Sequence, residues 1–177
     1  MQKIGPFVIF LLLSLASVCQ NKQEEKDWLK VYNNLNSREI PEIREAHTSD
    51  IKALESFLRQ YPENGMALYY LKSEVFHLMF WKGKYDSTYI QKYLDVLTRY
   101  INLPESAENG YKDKKAGKIS AVFNRSQAYL LAHDTISACN DYMAINNYLE
   151  TDTGPEAKKM KLTPGLEQQI ELCKIAH

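Results

Sequence analysis

The chain carries none of the short motifs by which catalysis or cofactor binding is usually announced. HExxH, paired CxxC, GxSxG, a phosphate-binding glycine loop and an EF-hand are all missing from the sequence, and with them the commonest zinc, serine-hydrolase, nucleotide and calcium chemistries. Glycine is scarce, at seven residues in 177, so a backbone cradle for phosphate has no raw material. Neither sign of charge dominates, because 22 basic and 22 acidic residues cancel. That balance offers no source for counterion release, and no nucleic-acid partner is expected. After residue 18 no apolar run approaches the ~20 residues of a membrane-spanning helix.

What is present begins at the N-terminus. Residues 1–18, MQKIGPFVIFLLLSLASV, have the layout of an export signal. Lys3 and the amino terminus form its positive end, and Ile4 to Leu15 is apolar apart from Gly5, Pro6 and Ser14. The last four residues before the polar chain, Ala16, Ser17, Val18 and Cys19, resemble the lipobox of bacterial lipoproteins. In that family an aliphatic residue and two small ones precede the cysteine that receives diacylglycerol. Ala16 stands where Leu is usual, and Val18 where Gly, Ala or Ser is usual. The resemblance implies cleavage before Cys19, a lipid on Cys19 and a place on the bacterial outer membrane. Ordinary secretion, with cleavage after Ala16 and Ser14 and Ala16 as the small pair, is the alternative.

Residues 19–26 read as a polar tether, and 27–177 as one domain long enough to bury a real core. The start of the tether, Gln20 to Glu25, is similar to the Lys-plus-acidic tag of surface lipoproteins in one group of Gram-negative bacteria. That similarity implies surface display; a plain spacer facing the periplasm is the other reading. Removing Lys3 with the leader leaves the mature chain one basic residue short of neutrality.

The body reads as all-α. Asp27 precedes Trp28, Val31, Tyr32 and Leu35 at helical spacing, and a turn before Pro41 follows. Thr48-Ser49-Asp50 looks like the start of a helix carrying Ile51, Leu54, Phe57 and Leu58. A third helix is expected over about 66–82, a tight connection at Gly83–Asp86, and a fourth helix over about 87–102. The polar stretch 103–117 is long for a connection inside a compact domain. Ile119 to Leu130 and Ile136 to Leu149 mark two more helices, separated at His133-Asp134-Thr135. Thr151 to Pro164 reads as a second polar connection, before a last helix with Leu166, Ile170 and Cys173. Seven helices on mostly short turns imply stacked antiparallel hairpins.

The hairpin turning at His133 resembles a tetratricopeptide repeat, with Ser126 and Ala138 at its small positions and Tyr129 and Tyr142 at its aromatic ones. The earlier hairpin shares the Gly83-Lys84-Tyr85 turn, but Phe76 occupies a small-residue position. Its turn lies 50 residues from His133 rather than the ~34 of the repeat. The resemblance, over about 62–150, implies a scaffold that binds other proteins.

Candidate chemistry is thin. Glu74-x-x-His77 is half of a di-iron pattern whose second half is missing, so no metal or cofactor is expected. His133 suits a helix end, whereas His47 and His177 have no partner visible in the sequence. Cys139 and Cys173 fall on apolar stripes; after export they would form either a bridge between the last two helices or two buried thiols. Lys112-Asp113-Lys114-Lys115 reads as a solvated loop or helix start. Aromatic residues crowd between 69 and 100. Tyr85, Tyr89 and Tyr93 recur every four residues, which places them in the core or along a groove. Tyr69, Trp81, Tyr85, Tyr89 and Tyr93 are therefore the candidate partner contacts.

The expected function is a lipid-anchored envelope scaffold or adaptor that binds a protein or peptide and is not an enzyme. An immunity-type lipoprotein that blocks an interbacterial toxin is the alternative. A labelled fatty acid fed to the cells should appear on the parent protein and be lost from Cys19→Ser. Equal labelling of both would remove Cys19 as the lipid site.

Overall fold

A computed structural model describes residues 21–176 apart from 39, 108, 109 and 112. The leader, Cys19 and His177 lie outside the described residues. Helix-period apolar residues organise the whole of the described chain, and no strand occurs among those residues. Eight α-helices are present in it: α1 (21–33), α2 (Arg44–Gln60), α3 (Gly65–Met79), α4 (Ile90–Ile101), α5 (Lys114–Leu131), α6 (Thr135–Thr151), α7 (Pro155–Lys161) and α8 (Leu166–Ala176). From α2 to α6 each helix packs on the next, and α8 returns onto α6. The result is a stack of antiparallel hairpins.

The boundaries correct the sequence reading in several places. Residues 21–26, expected as tether, are helical and continuous with 27–33. Asp27 is therefore inside α1 rather than at its cap, and it accepts a hydrogen bond from the Tyr61 hydroxyl at 2.7 Å. Helix α2 starts at Arg44, not beside Asp50. The Asp50 carboxylate instead accepts from the backbone N–H groups of Asn36 and Ser37 at 2.8 and 2.7 Å, serving a short 3-10 turn at Asn36–Arg38. Helix α3 stops at Met79 rather than 82, because Phe80 leaves helical geometry and Lys82 and Gly83 take positive φ. Helix α4 proper begins at Ile90, preceded by a 3-10 turn at Ser87–Tyr89 that the Asp86 carboxylate caps. Between 151 and 164, where a connection is expected, Pro155 at the first turn starts the short helix α7.

Caps elsewhere follow ordinary chemistry. Asn64, Asp113 and Asp134 each accept from the backbone N–H three residues on, at the starts of α3, α5 and α6. Asp113 thus starts α5 at Lys114, within the stretch 103–117 expected to be loop. His133 ends α5 in the left-handed region, φ 61, a position more often taken by glycine or asparagine.

The core has two lobes. The first gathers Leu54, Leu68, Leu71, Val75, Leu78, Leu97 and Tyr100, with Trp28, Val31 and Tyr32 of α1 packed against it. The second gathers Ala138, Tyr142, Ile145, Leu149, Leu166 and Ile170. Helix α5 gives Ala121 and Ala128 to the first lobe and Val122 to the second. Between the lobes, Arg125 Nε and Nη2 donate to Asp141 at 2.8 and 2.7 Å, and Nη1 donates to Thr98 at 3.1 Å.

Cys139 on α6 and Cys173 on α8 are joined by a disulfide across a sequence separation of 34. A loop of that size restricts the unfolded chain enough to stabilise the fold by about 3–4 kcal/mol. Urea unfolding of a Cys139→Ala/Cys173→Ala variant should show a loss of about 2–4 kcal/mol. A loss under ~1 kcal/mol would mean that the second lobe holds α8 without the bond.

Candidate functional site

Three arrangements stand apart from ordinary helix packing. The first is buried and polar. Glu74 of α3 accepts from the Ser37 hydroxyl at 2.9 Å and faces His47 Nδ1 at 2.5 Å. His47 Nε2 lies 2.9 Å from the Pro41 carbonyl, and since a carbonyl only accepts, Nε2 carries the proton there. Neither ring nitrogen is open to a substrate, and Ser37 addresses the carboxylate rather than the imidazole. This is no nucleophile–base pair. It fastens the irregular segment 36–43 onto α2 and α3. His77, the histidine of the E-x-x-H pattern, is exposed and stacks on His47 at 5.4 Å. Among the described residues no group of three or more His, Cys, Asp or Glu converges on a metal position.

The second arrangement surrounds a lysine. Lys72 lies on the apolar stripe of α3, 6% exposed, and its Nζ is 4.8, 4.8 and 5.3 Å from the ring centres of Tyr69, Tyr100 and Tyr111. Among the described residues no carboxylate pairs with it. Glycine makes the cage close. A Cβ on Gly110, whose φ is +78, would meet the Tyr69 ring at 2.7 Å, and one on Gly117 would meet the Tyr111 ring at 2.7 Å. The connection between α4 and α5 is thereby pressed onto the body. Burial lowers the Lys72 ammonium to about 8, while the three ring faces favour the charged form. Burial also raises the Tyr93 and Tyr100 hydroxyls, which stay neutral through the same range.

The third arrangement is an open apolar groove between α3 and α5, about 500 Å³, lined by Phe76, Met79, Phe80, Tyr93, Ala128, Leu130 and Leu131, with Asn124 and Gln127 as polar members. Phe76 is 45% exposed and Leu131 is 39% exposed. The Phe76 ring is held 5.1 Å from Phe80 and 5.7 Å from Tyr93, and Tyr85 leans on Phe80 at 5.6 Å. Large side chains fixed in place yet open to water are the chemistry of a contact surface.

The five aromatic candidates do not form one face. Tyr93 is in the core at 3% exposure and forms the groove's floor. Tyr85 precedes α4, is exposed and flanks the groove through Phe80. Tyr69 is part of the Lys72 cage. Trp81 packs edge-on against His47 at 5.3 Å. Tyr89 receives the Arg44 guanidinium at 5.8 Å, and Arg44 in turn pairs with Asp86 at 2.7 Å. Phe76, Leu131 and Lys72 were not among the expected site residues. The signals were visible: a large ring at a small-residue position of the hairpin, and a lysine four residues after Leu68 on an otherwise apolar stripe.

No protein-family model matches the chain, and neither a curated protein nor a solved structure matches it.

The Lys72 cage has a pH signature. The folded chain releases this proton near 8, the unfolded one near 10.5. In between, the unfolded state holds more protons, so folding stability rises with pH. Measured by urea unfolding against Lys72→Met, the parent should gain about 2–3 kcal/mol between about pH 7 and about pH 10. A flat difference would place the ammonium in water.

Proposed function

We propose that the protein is an exported, lipid-anchored adaptor of the bacterial envelope that captures another protein through the apolar groove between α3 and α5. The observation that carries this reading is the exposure of Phe76 and Leu131 along one groove, with the Phe76 ring packed on the buried Tyr93 ring. A side chain that is already ordered loses little entropy on binding, which is why preformed aromatic anchors dominate protein contacts. The groove is shallow and mostly apolar, and no acid–base or nucleophile set faces it. It therefore suits an apolar segment of a partner better than a substrate.

Two further features support the placement. The Cys139–Cys173 bridge belongs to the chemistry of an oxidising compartment such as the periplasm or cell surface. No described helix is long and apolar enough to cross a membrane, and the lipobox-like sequence supplies Cys19 as the point of attachment in this reading. The tetratricopeptide likeness supports the same role. Ser126, Ala138 and Tyr142 are buried where α5 meets α6, as that repeat's close packing requires. Phe76 departs from the repeat by turning outward.

The groove is tested by Phe76→Ser combined with Leu131→Ser. Capture of native envelope partners should fall about tenfold or more while the melting temperature stays within a few degrees. Tyr93→Ala, by contrast, should destabilise the fold by about 3–5 kcal/mol, as loss of a core ring does. Unchanged capture by the double variant would remove the groove as the binding surface.

A further inference from the structure

Helix α8 closes the stack, and the last helix of a repeat-like stack ordinarily turns a polar face to water. Leu166, Ile170 and Cys173 are buried in the second lobe, while Leu172 and Ile175 are 53% and 82% exposed. Three residues apart, they form an apolar ridge on the outer side of α8, with Gln168 one turn before Leu172. In the same molecule the groove between α3 and α5 leaves Phe76 and Leu131 open to water. The chain thus carries both an exposed helix ridge and an open, helix-walled groove.

The walls of the groove narrow its occupant to a helix. Phe76 and Phe80 stand four residues apart on α3, and Gln127 and Leu131 four apart on α5. Another helix can interlock with two such rows. An extended segment would bring N–H and C=O groups that need partners. The groove offers Asn124 and Gln127, and the Gln127 amide already donates to the Tyr142 hydroxyl. A helix keeps those bonds within itself.

Charge and area point to α8 as that helix. No Asp, Glu, Lys or Arg lines the groove, and none stands among Gln168, Leu172 and Ile175. Beside the groove, the connection after Phe80 holds Lys82 and Lys84, with which no acid pairs among the described residues. Asp86 there is taken by Arg44, and Asp134 caps α6. On α8, Glu171 bonds the single Lys174, and Glu150 and Glu167 lie close enough to stabilise its charge. The lysines of α7 adjoin the other end of α8. Base outnumbers acid beside the groove, and acid outnumbers base around the ridge. The exposed parts of Phe76, Leu131, Leu172 and Ile175, with the helix faces around them, come to on the order of 1000 Å² over both partners, the lower end for a specific contact. Direction fits as well. Helices α3, α5 and α8 all run away from the end where α1 begins, so copies joined in parallel keep their N-termini on one side.

We propose that the groove between α3 and α5 takes the outer ridge of α8 from a second copy of this chain, with Leu172 and Ile175 seated between Phe76 and Leu131. The inference rests on the groove reading above and names its occupant. Groove and ridge are different surfaces, so each copy gives one and receives one, and the assembly grows head to tail. Attachment to one membrane raises the local concentration that a contact of this size needs.

The test uses the mature chain carrying Cys19→Ser, which has no lipid. In sedimentation velocity its mass should grow past the dimer as concentration rises to about 1 mM. Phe76→Ser with Leu131→Ser removes the groove, and Leu172→Ser with Ile175→Ser removes the ridge. Each variant alone should stay monomeric, its self-affinity down about tenfold or more, with melting temperature as the control for folding. Mixed in equal amounts, the two should form a dimer and stop there, because one intact groove meets one intact ridge. A parent that stays monomeric, a mixture that gives no dimer, or a variant that still assembles alone would overturn the proposal. Capture of envelope partners reports on the groove separately. A monomeric parent whose capture is lost in Phe76→Ser/Leu131→Ser keeps the groove and removes the second copy as its occupant. A mixture that dimerises, with capture unchanged in that variant, keeps the assembly and removes the groove as the site for other proteins.

Discussion

Arg125 is held by oxygens of two neighbouring helices, two from Asp141 on α6 and one from Thr98 on α4. The forked guanidinium is suited to this because its donors lie in one plane and at fixed angles. Asp141 is buried, and it raises the guanidinium pKa further by stabilising the charged form. Helix α5 has to serve two lobes at once, and an apolar residue at 125 could not set its rotation against both neighbours. The pair contributes less to net stability than to register, since much of its Coulomb attraction offsets desolvation. With α5 set in this way, Ala121 and Ala128 meet the first lobe, Val122 meets the second, and Leu131 is left at the rim of the open groove.

The other buried polar groups sit where irregular chain returns to the body. Asp50, Glu74 and His47 receive the segment between α1 and α2, and the Lys72 cage receives the connection between α4 and α5. A loop has no ladder of its own for its N–H and C=O groups, so side chains of the helices supply partners. Every such buried side-chain atom among the described residues finds one. The arrangement gives specificity: a helix slid by one turn would leave a carboxylate or an imidazole stranded in the core.

Much of the fold was legible in the sequence, because the apolar spacing of α2 through α6 is regular and its cap residues are local. Asp134 and Asn64 do what their positions suggest, bonding three residues ahead. Asp50 and Asp27 illustrate the limit. Each has the residue type of a cap, yet each also accepts from a group 13 or 34 residues away, and no local pattern distinguishes the two uses. Helix α7 escaped because its lysine-rich seven residues show no long stripe, although Ala157 anchors it in the second lobe. The candidate groove was half legible. Aromatic crowding pointed to the right region, but the four-residue spacing of Tyr85, Tyr89 and Tyr93 suggested one shared face, whereas Tyr85 and Tyr89 both precede α4, with Asp86 capping a turn between them. Phe76 was noticed only as a poor fit to a repeat, and a poor fit to packing is what leaves a side chain available.

The Cys139–Cys173 bridge links α6 to α8, so it cannot close until the chain as far as residue 173 has emerged. For a chain that is exported, the reducing cytosol withholds this bond and the far side of the inner membrane permits it. In an exported chain the second lobe would therefore be weakest while the polypeptide must stay threadable and strongest after delivery. In such a chain translocation and final rigidity, two demands that oppose each other, would be separated in time by a single covalent step.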